Sequence, residues 1–232
     1  MEARAWIVGS VLVLGALLVG AVYVFDAPIR ERIEAEALRE VEGALAVEGG
    51  DVSVEGFPIA WYAVRQEFPA MELTAESVPF ELATGPVVAH DLTARLTDVA
   101  LAPDAVRAAG LTGTTRLDYS DLSALAGVEV THADGDRIRS SGSFRVLGMN
   151  LTGTVTAVPV VDAATQTVRL EAPEVDVAGV RIPDQAVAAL VDTVWQPVSL
   201  DLPYAIDVTA ITATQEGLLV DLTGTDVTLP NG

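Results

Sequence analysis

The chain has 232 residues, half of them apolar, and a formal net charge of −20. It is long enough to bury one substantial core, or at most two. So acidic a chain repels nucleic-acid phosphates and anionic lipid surfaces, which argues against nucleic acid as a partner and leaves apolar burial or a local arginine cluster as the source of any lipid affinity. It contains no cysteine, so no disulfide stabilises it, and all 13 basic residues are arginine.

The N-terminal segment is strongly apolar. Residues 5–25 carry no charge, and a helix of that length spans about 31 Å, close to the thickness of a bilayer's hydrocarbon core. Arg4 precedes the segment and Asp26 follows it, so the positive-inside rule predicts an extracytoplasmic C-terminal part. Two interpretations stay open: a single-pass anchor in the cytoplasmic membrane, or a signal peptide cut after Ala21 that releases a secreted protein.

The remaining residues, 26–232, predict one domain that begins with a helix and continues with strands. Apolar residues recur at helical spacing within residues 26–47, whereas most of the later chain alternates apolar and polar residues. The alternation changes phase after Leu96, after Ala172 and after Leu222, which indicates β-bulges in long strands and strong coiling. We therefore predict an α+β fold: a strongly coiled, mainly antiparallel β-sheet wrapped around a long amphipathic helix, preceded by an N-terminal transmembrane helix.

Such a wrap would enclose an elongated apolar interior. A lipid-sized cavity and a core filled by side chains give the same periodicity, so both interpretations remain open at this point.

The sequence offers little for catalysis. Its two histidines, His90 and His132, are distant in sequence, and no nucleophile, phosphate-loop, dinucleotide or metalloprotease motif occurs. We predict a protein that is not an enzyme and needs no metal or cofactor.

The aromatic residues are unevenly distributed. The chain has three Trp, four Tyr and five Phe, yet four of these rings lie in the stretch VEGFPIAWYAVRQEF: Phe57, Trp61, Tyr62 and Phe68. Pro58 is favourable at the start of a helix, so Ile59 to Glu67 are predicted to form a short one. The rings either cap the end of the sheet or form the lip through which an acyl chain enters, since Trp and Tyr suit apolar–polar boundaries.

A second group of residues is basic. The stretch THADGDRIRSSGSFR predicts a hairpin that turns at Asp134 and Gly135. Along its second strand, Arg137, Arg139 and Arg145 fall on one face. They either bind a phosphate headgroup or protect an edge strand by their charge.

Four phrases, in this order, resemble one family: VEGFPIAWYAVRQEFPAMELTAESV, LDYSDLSALAG, FRVLGMNLTGTVTA and LDLPYAIDVTAITATQEGLLVDLTGTDVTL. Over roughly residues 27–229 the chain is similar to the actinobacterial LmeA-like phospholipid-binding family. The resemblance implies an exported envelope protein with a tubular (TULIP-like) lipid-binding fold. It also implies a phospholipid or lipid-linked glycan as ligand, contact with the cytoplasmic membrane, and partners in envelope biosynthesis.

The functional prediction follows from these features together. We expect an exported, membrane-tethered phospholipid-binding protein that holds or transfers lipid in cell-envelope lipid or glycolipid assembly, without covalent chemistry. The alternative is an accessory or scaffold protein of the envelope, with a filled core, that acts through protein–protein contacts.

Overall fold

A computed structural model of the chain describes residues 26–39, 47–82, 85–102, 105–146, 149–177, 180–181, 198–200 and 202–230. These residues are mostly strand, and three helices occur among them: α1 (26–39), α2 (Ile59–Arg65) and α3 (Tyr119–Ala126).

The strands form two antiparallel sheets. The first sheet has six strands in the order β1-β2-β3-β4-β12-β11: β1 (Asp51–Val54), β2 (Glu67–Leu82), β3 (Gly85–Leu101), β4 (Ala105–Asp118), β12 (Gly217–Pro230) and β11 (Ile206–Ala213). The second has the order β10-β8-β7-β6-β5, with β9 also paired to β8: β10 (Val198–Ser199), β8 (Thr167–Val177), β7 (Met149–Asp162), β6 (Ile138–Val146), β5 (Glu129–His132) and β9 (Val180–Arg181).

The main hydrophobic core lies on one face of the first sheet. One register row crosses four strands of this sheet, and all of its members are buried: Phe68, Val99, Ala108 and Val227. Helix α1 packs the half-buried Ile29, Ile33 and Ala37 on the same core. Alternation along the strands places their apolar side chains on one face of the sheet, and the helix covers part of that face.

The predicted changes of phase lie at residues with positive φ. A register shift, which marks a β-bulge, accompanies the change at Ala172, whereas the pairing of β3, β4 and β12 continues unshifted past Asp98 and Asp226. Asp98, Ala172 and Asp226 adopt φ values of 50°, 45° and 53°, each where the sequence alternation changes phase. At each of these points two consecutive residues are exposed, which restores the apolar residues that follow to the core face. The register also places Asp98 and Asp226 on either side of the same residue of β4, Ala109.

Polar side chains of α1 bind the free edge of the first sheet. Glu34 Oε1 accepts a hydrogen bond from Val54 N at 3.0 Å, and Arg30 donates to the carbonyl oxygens of Val54 and, at 2.8 Å, of Gly56. An edge strand leaves backbone groups unpaired. Because Arg30 and Glu34 are four residues apart, one face of α1 can satisfy them.

The two sheets are joined at the turn between β7 and β8. The side-chain amide of Gln166 accepts from Val208 N at 2.9 Å and donates to Val208 O at 3.3 Å. At another point Tyr119 Oη donates to the carbonyl oxygen of Thr214 at 2.7 Å. These contacts connect the second sheet, and the α3 region, to β11 and the loop that follows it.

The predicted wrap around a long helix is wrong. In the described part of the chain the helices are short, and the strands form two six-stranded sheets instead of one coiled sheet. The apolar stripe of α1 is narrow and only half-buried, so this helix lies against an edge and one face of the first sheet and cannot serve as the axis of a wrap. Residues 40–46 of the predicted helix lie outside the described residues.

None of the helices in the described ranges is both long and apolar enough to cross a membrane. The predicted transmembrane helix within residues 1–25 lies outside the described residues.

Candidate functional site

The helix α2 begins where its sequence suggests, after Pro58. The peptide bond between Phe57 and Pro58 is cis, and the extended Pro58 leads into the helix at Ile59. Gln66 ends the helix in the left-handed conformation, with its N–H donating to the carbonyl oxygen of Ala63 at 3.2 Å. The predicted short helix is therefore present, and it ends at Arg65, two residues earlier than expected.

The structure separates the four clustered rings. Phe68 is 3 % exposed and belongs to the core, and the half-buried Tyr62 packs against it. Phe57 and Trp61 are 47 % and 57 % exposed, and Val64 in the same helix is 86 % exposed. We call Phe57, Trp61 and Val64 the α2 tip. The short helix thus presents an apolar outer face while Ile59, fully buried, fixes its inner face.

One positive charge, that of Arg65, lies beside the α2 tip. The guanidinium carbon of Arg65 lies 4.5 Å from the centre of the Trp61 ring, a distance typical of a cation–π contact. No acidic residue occurs within α2. A Trp–Arg pair of this kind suits a boundary between apolar chains and phosphate groups.

Beside α2 the apolar face of the first sheet opens. The register row beyond the buried one consists of three half-buried residues of β3, β4 and β12, which we call the open row: Leu101, Val106 and Leu229. The backbone N–H of Leu101 donates to the carbonyl oxygen of Gln66 at 2.8 Å, so the open row begins where α2 ends.

The sequence contains a signal for the open row, although its residues were not among the predicted site residues. Leu101 and Leu229 each follow, by three positions, a residue of left-handed backbone at a change of phase, Asp98 or Asp226. The phase change could therefore have placed both leucines on the core face, but the strand pairing through Val106 is needed to bring them together.

The predicted basic residues lie elsewhere, in the second sheet. A cavity of about 490 Å³ there is lined by residues that include Arg137, Arg139, Asp134, Glu174 and Asp176. These five charged groups sum to one net negative charge, which does not favour a phosphate. The side chain of Arg145 lies outside the described part of the structure.

Arg137 has a structural role at this cavity. Its guanidinium donates to Glu174 Oε1 at 2.9 Å and to the carbonyl oxygens of Thr156 and Ala172, each at 3.2 Å. Both carbonyl groups flank the bulge between β7 and β8. Arg137 thus satisfies backbone groups that the bulge removes from the ladder.

The two histidines make separate local contacts. His90 Nε2 lies 3.7 Å from Asp118 Oδ2, and His132 Nε2 is 2.9 Å from the carbonyl oxygen of Gly135 in the hairpin turn. Within the residues that the structure describes, no three His, Asp or Glu side chains come together as a group that could hold a metal ion.

Comparison with known families gives the decisive observation, because residues 24–223 match the sequence model of LmeA-like phospholipid-binding proteins. The chain belongs to the LmeA-like phospholipid-binding family. This confirms the family resemblance and the lipid ligand class, and the family is one of binding proteins and not of catalysts. No curated protein and no solved structure matches the chain. The actinobacterial source stays a prediction. The tubular fold is not confirmed, because the described strands form two sheets without a long central helix.

Because the chain belongs to the LmeA-like family, the open row and the α2 tip can be compared with the surfaces that a phospholipid requires. A phospholipid needs apolar surface for its acyl chains and a boundary for its polar group. The open row supplies half-buried apolar surface that continues into the core, and the α2 tip supplies exposed rings with Arg65 beside them. The lip role of Phe57, Trp61 and Tyr62 stays a prediction, and Phe68 lies behind them in the core.

Proposed function

We propose that this protein is an exported, membrane-tethered phospholipid-binding protein that holds or transfers phospholipid during cell-envelope lipid assembly, without covalent chemistry. In this proposal the acyl chains lie along the open row of the first sheet, and Phe57, Trp61 and Tyr62 form the lip through which they enter. Residues 5–25 would tether the domain on the extracytoplasmic side.

The observation that carries the proposal is the graded exposure of one apolar surface. The row of Phe68, Val99, Ala108 and Val227 is buried, the open row next to it is half-buried, and the rings of the α2 tip are the most exposed. Exposed apolar groups that gather in one patch are typical of an interaction site. The open row and the α2 tip meet at Gln66, whose carbonyl oxygen accepts from Leu101 N.

The energy of burying an acyl chain supports binding by an acidic protein. A chain of about 15 methylene groups gains on the order of 12 kcal/mol before the costs of binding are subtracted, at about 0.8 kcal/mol for each group. This gain does not depend on basic residues, so the net charge of −20 does not oppose the uptake of an acyl chain.

The proposal is tested by a matched pair of substitutions in β12. Leu229→Asn places an amide in the open row, whereas Leu219→Asn changes a leucine of the same strand that is 39 % exposed. Uptake of a fluorescent phospholipid by the purified full-length protein should be strongly reduced by Leu229→Asn and unchanged by Leu219→Asn. Equal uptake by both folded variants would contradict the proposed path. A parent protein that is lipid-free and takes up no lipid would instead support a filled core and a scaffold role.

A further inference from the structure

We propose that α2 docks on the outer surface of a phospholipid bilayer, with Phe57, Trp61 and Val64 among the lipid headgroups. This inference rests on the proposed membrane attachment and adds to it the orientation of the domain. The occupant of the α2 tip is thus the bilayer itself, in addition to the single lipid that the open row would hold.

The position of the chain entry supports this docking. The charge-free residues 5–25 end immediately before Asp26. Asp26 is buried, and its carboxylate accepts a hydrogen bond from the backbone N–H of Ile59, the first residue of α2. If the charge-free segment spans the membrane, α2 must lie within a few ångströms of the point where the chain leaves the bilayer.

The distribution of exposed apolar side chains agrees with this position. Among the described residues four large hydrophobic side chains are exposed, and three of them form the α2 tip, the fourth being Leu219. The concentration of exposed apolar groups in one short helix is typical of a membrane or protein contact.

The positive charge of Arg65 favours a phospholipid surface as the contact. Residues 56–66 carry one charge, that of Arg65, in a chain of net charge −20. The nearest acidic residues along the chain are Glu67 and Glu55, and Glu55 is paired with Arg95 at 2.6 Å. A cation beside an exposed Trp ring complements lipid phosphate groups above an apolar interior.

Docking would also place the lipid path against the membrane. The carbonyl oxygen of Gln66 accepts from Leu101 N at 2.8 Å, so the end of α2 is joined to the open row. A phospholipid could then move from the bilayer past the α2 tip to the open row without exposing its acyl chains to water.

The absence of cysteine from the chain makes a site-specific test practical. Val64→Cys in the full-length protein would be labelled with an environment-sensitive fluorophore (NBD) and reconstituted into vesicles of phosphatidylcholine and phosphatidylglycerol. Leu219→Cys, exposed on β12, is the matched control. The label at position 64 should show blue-shifted emission and quenching by nitroxide-headgroup lipids, whereas the label at position 219 should show neither.

Two results would overturn the inference without affecting lipid binding. In the first, the label at position 64 in vesicles remains as accessible to aqueous iodide as the label at position 219. In the second, its emission is blue-shifted in vesicles but is not quenched by nitroxide-headgroup lipids, which would place the label on a bound lipid and not in the bilayer. Uptake of fluorescent phospholipid by the same labelled proteins reports the proposed function separately. A third result, in which the protein does not remain with the vesicles, would overturn the docking together with the proposed membrane attachment.

Discussion

The carboxylate of Asp26 accepts a hydrogen bond from the backbone N–H of Ile59 and so joins the start of α1 to the start of α2. Asp26 is also paired with Arg30, at 3.4 Å, and Arg30 in turn binds the carbonyl oxygen of Gly56 at 2.8 Å. The first turn of α1 therefore determines where α2 lies, and with it the position of the exposed rings.

Removal of this carboxylate should destabilise the domain. Asp26→Ala leaves the buried N–H of Ile59 without an acceptor, a loss of about 1–3 kcal/mol in the free energy of unfolding. Asp26→Asn keeps an acceptor oxygen and should cost less. Urea unfolding in detergent measures both, with the exposed Asp51→Ala as control. Equal stability of Asp26→Ala and Asp51→Ala would contradict the contact.

Trp61 should matter for lipid entry more than for stability. Its ring is 57 % exposed and its partner is Arg65, so Trp61→Ala should cost about 1 kcal/mol or less. Phe68→Ala removes a ring that is 3 % exposed and should cost about 3–5 kcal/mol. Thermal unfolding compares the two variants, and stopped-flow uptake of fluorescent phospholipid should be slowed by Trp61→Ala. Normal uptake by this variant would show that lipid enters elsewhere.

The left-handed backbone of Asp98 predicts an unusual substitution pattern. Its φ of 50° is unfavourable for a β-branched side chain, so Asp98→Val should lower the free energy of unfolding by about 1–2 kcal/mol. Asp98→Gly should cost nothing, because glycine adopts this conformation freely. Thr93→Val, at an exposed position of the same strand, should have little effect. If Asp98→Val were as stable as Thr93→Val, Asp98 would not hold the left-handed conformation.

Local sequence signals predicted the strands of this protein, and the points where their alternation changes phase, better than its overall shape. Alternation placed these points near Asp98, Ala172 and Asp226, because one shift of phase exposes two neighbouring residues whatever the tertiary structure. Of the three, the register shows a bulge at Ala172. The division into two sheets depends on the pairing of β12 with β4, whose paired residues are 99 to 125 positions apart in sequence, and periodicity does not encode this pairing.

The candidate site shows the same limit of sequence reasoning. The aromatic cluster marked the α2 region, but burial divides it between Phe68 in the core and Trp61 at the surface. The alternation of arginines suggested a basic strand face, but Arg137 precedes β6 and donates to the carbonyl groups at a bulge. That bulge arises from the pairing of β7 with β8, which the alternation does not show.

The two arginines that line the cavity of the second sheet, Arg137 and Arg139, should therefore behave differently. Arg137→Ala leaves the carbonyl groups of Thr156 and Ala172 without their donor, which should cost about 1–3 kcal/mol of stability. Arg139 is exposed, and Arg139→Ala should change stability by about 0.5 kcal/mol or less. Denaturant unfolding tests both, and phospholipid uptake should be normal with Arg139→Ala. Slower uptake by this stable variant would support the predicted headgroup role of Arg139.

Alkaline pH should destabilise the protein through Tyr119. Burial raises the pKa of the Tyr119 phenol above its ordinary value, so the folded state favours the neutral phenol. The stabilisation is complete below the unfolded pKa and is lost as the pH rises through the folded pKa. Because the chain has no lysine, few other groups titrate in this range.

Tyr119→Phe provides the control for this pH dependence. It should cost about 1 kcal/mol at neutral pH through loss of the hydrogen bond to Thr214, and it should make the fall in stability above about pH 10 shallower. Unfolding free energies measured across the alkaline range would show this. An equally steep fall in both proteins would assign the effect to another group.

The central claim, that the α2 end of the first sheet holds a phospholipid, is tested most directly by native mass spectrometry of the full-length protein purified from bacterial membranes. We expect a phospholipid bound to the parent protein and to Leu219→Asn, with much lower occupancy in Leu229→Asn. A parent protein that is free of lipid, and that acquires none when mixed with phospholipid, would contradict the claim.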